Sequence, residues 1–157
     1  AFLNYFDVHA PYRPPPGWAG RFSSPGDSVA RTRRIEIGAW NEGTVPDSAV
    51  LAAWRDRYDE SLLYLDHQIG ALLDSLATRH LMEHTIVIVT GDHGESFGEH
   101  GTVHHGATLY LEQVRVPLIL WGPGRIPAGK VVKVTACRLF AGLSLGSVKP
   151  KSAVAKV

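Results

Sequence analysis

Cysteine is almost absent from this chain of 157 residues: Cys137 stands alone, so no internal disulfide can form, and no compartment follows from it. Long apolar runs are missing as well. No stretch reaches the roughly 18 apolar residues that a membrane-crossing helix needs, which leaves no membrane segment within this chain. There is no excess of one charge. A formal net charge of +1 gives no global pull toward nucleic acid or an anionic membrane. The basic cluster Arg31, Arg33 and Arg34 is local and reads as a solvated loop face rather than an anion site. No signal peptide is visible. The chain opens at Ala1, already inside the apolar run Phe2-Leu3-Asn4-Tyr5-Phe6, which leads us to expect a segment of a longer protein.

What is present is the balance of an ordinary globular domain, 45% apolar and 20% charged, long enough to bury a core without disulfides or structural metal. Residues 1–7 read as a short buried strand ending at Asp7. From Ala10 to Pro46 come six prolines and five glycines, the composition of a long irregular excursion. A helix follows, with Asp47 or Ser48 as N-cap after Pro46. Its apolar stripe runs through Leu51, Trp54, Tyr58, Leu62, Leu65, Ile69, Leu72 and Leu76 at spacings of three and four. That stripe reads as core packing, not as a ligand groove, with Arg79 and His80 suited to the helix C-terminus. Thr85–Thr90 is almost wholly β-branched, as in a strand buried on both faces, and Val116–Trp121 has the same character. Strand, helix, strand, short helix, strand predicts an α/β fold with a mostly parallel sheet covered by helices.

The chemistry gathers in Thr90-Gly91-Asp92-His93-Gly94-Glu95-Ser96-Phe97-Gly98-Glu99-His100-Gly101, where a predicted strand ends. In open α/β sheets, ligands bind beyond the carboxyl ends of strands. Glycine on both sides allows the backbone to turn, so that Asp92 and His93 can converge on one point. A carboxylate oxygen and a neutral imidazole nitrogen together suit a divalent metal, although a polar turn after a strand would explain the pair alone. His93, His100, His104 and His105 then fall close together, beside Glu95 and Glu99, a density that packing does not explain. His9 follows the other strand end, in Asp7-Val8-His9-Ala10-Pro11-Tyr12.

Four stretches in order resemble bacterial sulfatases of the alkaline phosphatase superfamily. They are Phe2…Asp7-Val8-His9…Pro11-Tyr12; Tyr58…Tyr64-Leu65-Asp66…Ile69-Gly70; Gly91-Asp92-His93-Gly94-Glu95…Gly98-Glu99-His100-Gly101; and His105-Gly106…Leu109-Tyr110…Val114-Arg115-Val116-Pro117-Leu118-Ile119. Phosphonate monoester hydrolases and lipoteichoic acid synthases are relatives in the same superfamily. The resemblance implies an incomplete alkaline phosphatase/sulfatase-like fold, with residues 1–133 as the C-terminal part of a catalytic domain and 10–46 as its long loop.

Position by position, the resemblance implies that Asp92 and His93 are metal ligands. It implies that His9 contacts an oxygen of the sulfate or phosphate group. His105 is matched to the residue touching the sulfate and the leaving oxygen, with His104 as a confusable neighbour. Glu95, Glu99 and His100 are expected to fix ligands or the loop. The implied reaction is metal-dependent hydrolysis of sulfate esters of small molecules or carbohydrates. Ca²⁺ is the favoured cation, with Mn²⁺, Mg²⁺ or Zn²⁺ left open. A nucleophile, formylglycine in many sulfatases, is expected before residue 1. Phosphoryl or phosphonate ester hydrolysis or transfer is the alternative, and the isolated chain is expected to be an inactive metal-binding remnant. A periplasmic, secreted or membrane-anchored location follows from resemblance alone. The segment from 134 to 157 matches nothing in the family pattern and is expected to be poorly ordered; Cys137 lacks a nucleophile's setting there.

Overall fold

Pro46 and Asp47 start the longest element. Asp47 takes an extended conformation, and its carboxylate accepts a hydrogen bond from the Val50 amide at 2.9 Å, capping helix α1, Ser48–Thr78. The computed structural model describes residues 1–24, 35, 38–39, 43–129, 131 and 153–156. The strands are β1 (Phe2–Asn4), β2 (Val87–Thr90), β3 (Ser96–Phe97), β4 (Val103–His104), β5 (Leu118–Trp121) and β6 (Ala153–Lys156). A four-residue helix, α2 (Leu111–Val114), precedes β5, and short 3₁₀ turns lie at Met82–His84 and Glu99–Gly101. The main sheet has the order β1-β6-β2-β5, and β3 and β4 make a separate two-stranded ribbon. Both β1 and β2 run parallel to β6, so the α/β fold with a mostly parallel sheet is as expected.

β5 departs from the strand reading. It pairs antiparallel with β2, with Thr90 opposite Leu118 and Val87 opposite Trp121. It is also an edge: Ile119 is 57% exposed and Trp121 42% exposed. An unalternating β-branched run announces burial but says nothing about strand direction. Of β2 itself only Val87 is fully buried, and Thr85 and Ile86 lie ahead of the strand.

The buried face of α1 also differs from the predicted stripe. It comprises Val50, Ala53, Trp54, Arg57, Glu60, Ser61 and Leu65, whereas Leu62 is 41% exposed. The reason is the chain segment lying across the helix. Glu60, fully buried, accepts hydrogen bonds from the amides of Phe22 and Ser23 and from the Ser23 hydroxyl, each at 2.9 Å. Burial pushes the Glu60 carboxyl up, but these donors outweigh it and hold it below the usual glutamate range. A carboxylate with three donors on one oxygen can sit where an apolar stripe would be drawn. The core is Tyr12, Ala39, Val50 and Trp54, with Leu51, Tyr58, Phe97 and Val103 packed around it. Arg31, Arg33, Arg34 and Cys137 lie outside the described residues. So does the 134–157 segment except Ala153–Lys156, which forms β6 between β1 and β2. Among the described residues, no helix is long and apolar enough to cross a membrane.

Candidate active site

Because β1 and β2 are both parallel to β6, their carboxyl ends emerge at the same edge of the sheet. The chain leaving β1 carries His9, and the chain leaving β2 carries Asp92 and His93. They share one cavity of about 200 Å³, walled by Asn4–Phe6, His9 and Gly91–Glu95, and closed by Tyr58, Leu62 and Pro117.

Three imidazoles meet beside it: His9 and His93 line the cavity, and His105 packs against both. The His93 and His105 rings stack with centroids 3.7 Å apart and planes 23° apart. His9 stands edge-on to both, 5.2 Å from His105 and 6.4 Å from His93. Each ring uses Nδ1 in the same way. His9 donates to the Ala10 carbonyl at 2.6 Å, His93 to the Gly94 carbonyl at 2.8 Å, and His105 to the Glu95 carboxylate at 3.1 Å. With the proton held on Nδ1, the lone pair of each neutral ring lies on Nε2.

For His93 that is the state a metal ligand needs, with the other nitrogen oriented by a carbonyl. Its Nε2 lies 3.8 Å from Asp92 Oδ1, a spacing near what two neighbouring ligands at roughly 2.3–2.6 Å from one cation require. Among the described residues, no group of three or more His, Cys, Asp or Glu is arranged to hold a metal. The Asp92–His93 pair therefore fits a cation but does not complete its shell.

His104 and His105 are separated by the structure where sequence could not separate them. His104 adopts a left-handed φ of 64° and is 3% exposed, its ring packed 5.4 Å from that of Trp54. Burial holds its pKa below the ordinary histidine value; the nearby Glu95 charge opposes the shift, and His105 and His9 add to it. It is part of the wall behind the site. His105 does not cap α2, whose N-cap is Tyr110.

The loop carrying these groups is fastened on both sides. The Gly94 amide donates to the Gln113 carbonyl at 2.7 Å, and a Cβ on Gly94 would stand 1.9 Å from the Glu112 carbonyl oxygen. Glycine is required here for close backbone approach; the turn itself needs no left-handed φ at this position. Buried Gln113 also donates to Ser96 Oγ at 3.0 Å and accepts from the Thr108 amide at 3.3 Å. Glu99 accepts from the Phe97 amide at 2.6 Å and from Arg55 of α1 at 3.0 Å. Burial raises the Glu99 carboxyl, but the amides of Glu99 and Phe97 together with Arg55 bring it below its ordinary value. His100 stacks on Tyr110, 4.0 Å away, and its Nε2 lies 3.6 Å from Glu112.

Tyr58 and Leu62 were read as helix core, yet both face the cavity. The Tyr58 hydroxyl has a raised pKa, first from burial and then from the charges of Glu95 and Asp59. An aromatic at core spacing gives no sign that its helix also walls a site. Only its place in the second family-like stretch set it apart.

Comparison with known proteins covers the same segments. The sulfatase family's profile matches residues 2–141. The chain is 29% identical over 130 residues to an arylsulfatase of Clostridium perfringens, covering 83% of this chain and 26% of that protein. It is 29% identical over 102 residues to a choline-sulfatase of Rhizobium meliloti, covering 61% and 20%. It is 41% identical over 71 residues to the iduronate 2-sulfatase of Homo sapiens, covering 45% and 13%. The chain thus spans no more than about a quarter of the length of these curated relatives. The match takes in both strand ends and the glycine-bracketed pair that follows the second, and the chain belongs to the sulfatase family.

Proposed function

We propose that this chain supplies the Asp92–His93 half of the active site of a metal-dependent sulfuric ester hydrolase. Further acidic ligands and the nucleophile, formylglycine by family likeness, come from elsewhere in the enzyme. The observation that carries this reading is the set of three imidazoles, each with Nδ1 occupied by an acceptor, packed together at the sheet edge where Asp92 lies beside His93. Asp92 Oδ1 and His93 Nε2 would hold one divalent cation. Ca²⁺ is the first choice among sulfatases, and the nitrogen ligand keeps Mn²⁺, Mg²⁺ and Zn²⁺ in contention. When bound, the cation supplies Lewis-acid stabilisation to a non-bridging oxygen of the ester.

The residues of this chain do the rest. His9 binds a non-bridging oxygen and orients the group. His105 acts in its doubly protonated form: Nε2–H gives its proton to the departing ester oxygen as the bond to sulfur breaks while the other proton stays on Nδ1, a contribution of about 10²–10⁴-fold for general acid catalysis. Tyr5, Phe6, Tyr58 and Leu62 give the cavity apolar walls around a polar floor. That suits the ring of a small-molecule or carbohydrate sulfate ester. In the full-length enzyme, Asp92→Ala should lose the divalent cation on elemental analysis. Turnover of a sulfate monoester should fall about 10³-fold, equivalent to several kcal/mol of charge stabilisation. Unchanged metal stoichiometry would sink the ligand assignment. Faster turnover of the matching phosphate monoester by the unaltered enzyme would move it to phosphoryl transfer.

A further inference from the structure

We propose that Glu95 is a positioning residue for His105: it selects which nitrogen of that imidazole the reaction uses. This rests on the reading of His105 as the group at the leaving oxygen.

The placement comes from the ribbon. β3 and β4 pair Ser96 with His104 and Phe97 with Val103, so the next pair in register is Glu95 opposite His105. Their side chains meet there, with His105 Nδ1 at 3.1 Å from Glu95 Oε1 and 3.3 Å from Oε2. The carboxylate side chain is 7% exposed and the imidazole 15%, so the contact is shielded from water. Stacking holds the plane of the ring, with His93 on its face and His9 at its edge. Stacking is nearly indifferent to a half-turn about the Cβ–Cγ bond, which exchanges the ring's nitrogen and carbon edges. A carboxylate is not indifferent, because it accepts only from a nitrogen that bears hydrogen. Glu95 therefore keeps the proton on Nδ1 and commits Nε2 to the substrate side of the reaction. The same logic orients His93 through a main-chain carbonyl, which no substitution can remove. At His105 the orienting group is a side chain and can be changed.

The test uses the full-length enzyme with 4-nitrophenyl sulfate and phenyl sulfate, a good and a poor leaving group. Glu95→Ala should lower kcat for phenyl sulfate by about 10–100-fold, as loss of an orienting partner does. KM should change little, and the nitrophenyl ester should lose far less. Glu95→Gln keeps an acceptor oxygen and should recover most of the rate. In a His105→Ala background, Glu95→Ala should have no further effect, because the two act as one unit. An undiminished loss in that background, or an equal loss for both esters, overturns the positioning role. If His105→Ala shows no dependence on leaving group, the acid assignment fails instead. Long-range ¹H–¹⁵N spectra of the unaltered protein then decide Glu95 independently. The neutral His105 ring should carry its proton on Nδ1, and an Nε2–H form overturns the proposal even if Glu95→Ala does not fold.

Discussion

The loop from Gly91 to Val114 and the outer half of α1 beyond Leu65 reverse the usual association between regular structure and burial. The outer half is unbroken helix to Thr78, yet every fully buried residue of α1 lies at or before Leu65. The loop has only two two-residue strands, one 3₁₀ turn and a four-residue helix, yet Ser96, His104 and Gln113 are buried within it. It is held by polar staples, most of them internal: Gln113 to Ser96 and Thr108 and Gly94 to Gln113 within the loop, and Glu99 outward to Arg55 of α1. A site that must fix three imidazoles to fractions of an ångström gains more from such staples than from helix length. The same comparison sets the direction of three mutational and pH effects.

The largest should come from Gly94→Ala. The new methyl group would overlap the Glu112 carbonyl oxygen and lie 3.3 Å from that of Arg115. Both obstacles are backbone, so neither can swing aside as a flexible side chain would. We expect a loss of about 3 kcal/mol, the upper end for overpacking a close contact, read as a lower urea midpoint of the full-length protein. An unchanged midpoint would mean that the loop and α2 separate easily, and the staples would count for little.

The next effect is graded with pH and separates the paired histidines. His104 has its pKa lowered, chiefly by burial against Trp54. The unfolded chain binds this proton below about pH 6.5, and the folded chain resists it. Stability tied to His104 is therefore complete above that pH and is lost as pH falls toward the lower folded value. Melting temperature should drop between pH 7 and 5, and His104→Asn should flatten that drop while keeping a residue tolerant of positive φ. The same slope in wild type and variant would remove His104 from the account.

These contrasts also mark how far sequence could go. The glycine-bracketed Asp92–His93 pair and His9 were legible because both follow strand ends, and parallel strands bring their ends to one edge. His105 was legible only through family likeness. Composition could not tell it from His104, since the difference lies in a left-handed φ that turns one ring inward. The reason for Gly94 was hidden because it depends on a carbonyl eighteen positions along the chain, at Glu112. Arg57, Glu60 and Ser61 were invisible as buried residues for a related reason. The donors to Glu60 come from outside the helix, at Phe22 and Ser23, and periodicity records only side-chain type. The antiparallel direction of β5 was out of reach because Val116–Trp121, like β2, is a run without alternation, and such a run carries no mark of direction.

The smallest effect should have the opposite sign and falls on the helix side of the comparison. Gly70 sits inside α1, past the last buried residue, and a methyl group there would meet nothing within 4 Å. Glycine in a helix interior costs about 0.5–1 kcal/mol relative to alanine, because its unfolded backbone has more freedom to lose. With no clash to offset this, Gly70→Ala should stabilise the full-length protein by about that amount and leave sulfate ester turnover unchanged. Gly70 also lies in the second of the family-like stretches, beside Ile69, where the helix pattern stays apolar through Leu72 and Leu76. If another part of the full-length enzyme packs against this half of α1, the methyl group would intrude on it and the sign would reverse. A lower melting temperature for Gly70→Ala would thus end the contrast drawn between the two regions. It would also locate a covering surface at Gly70, where this chain alone shows open space.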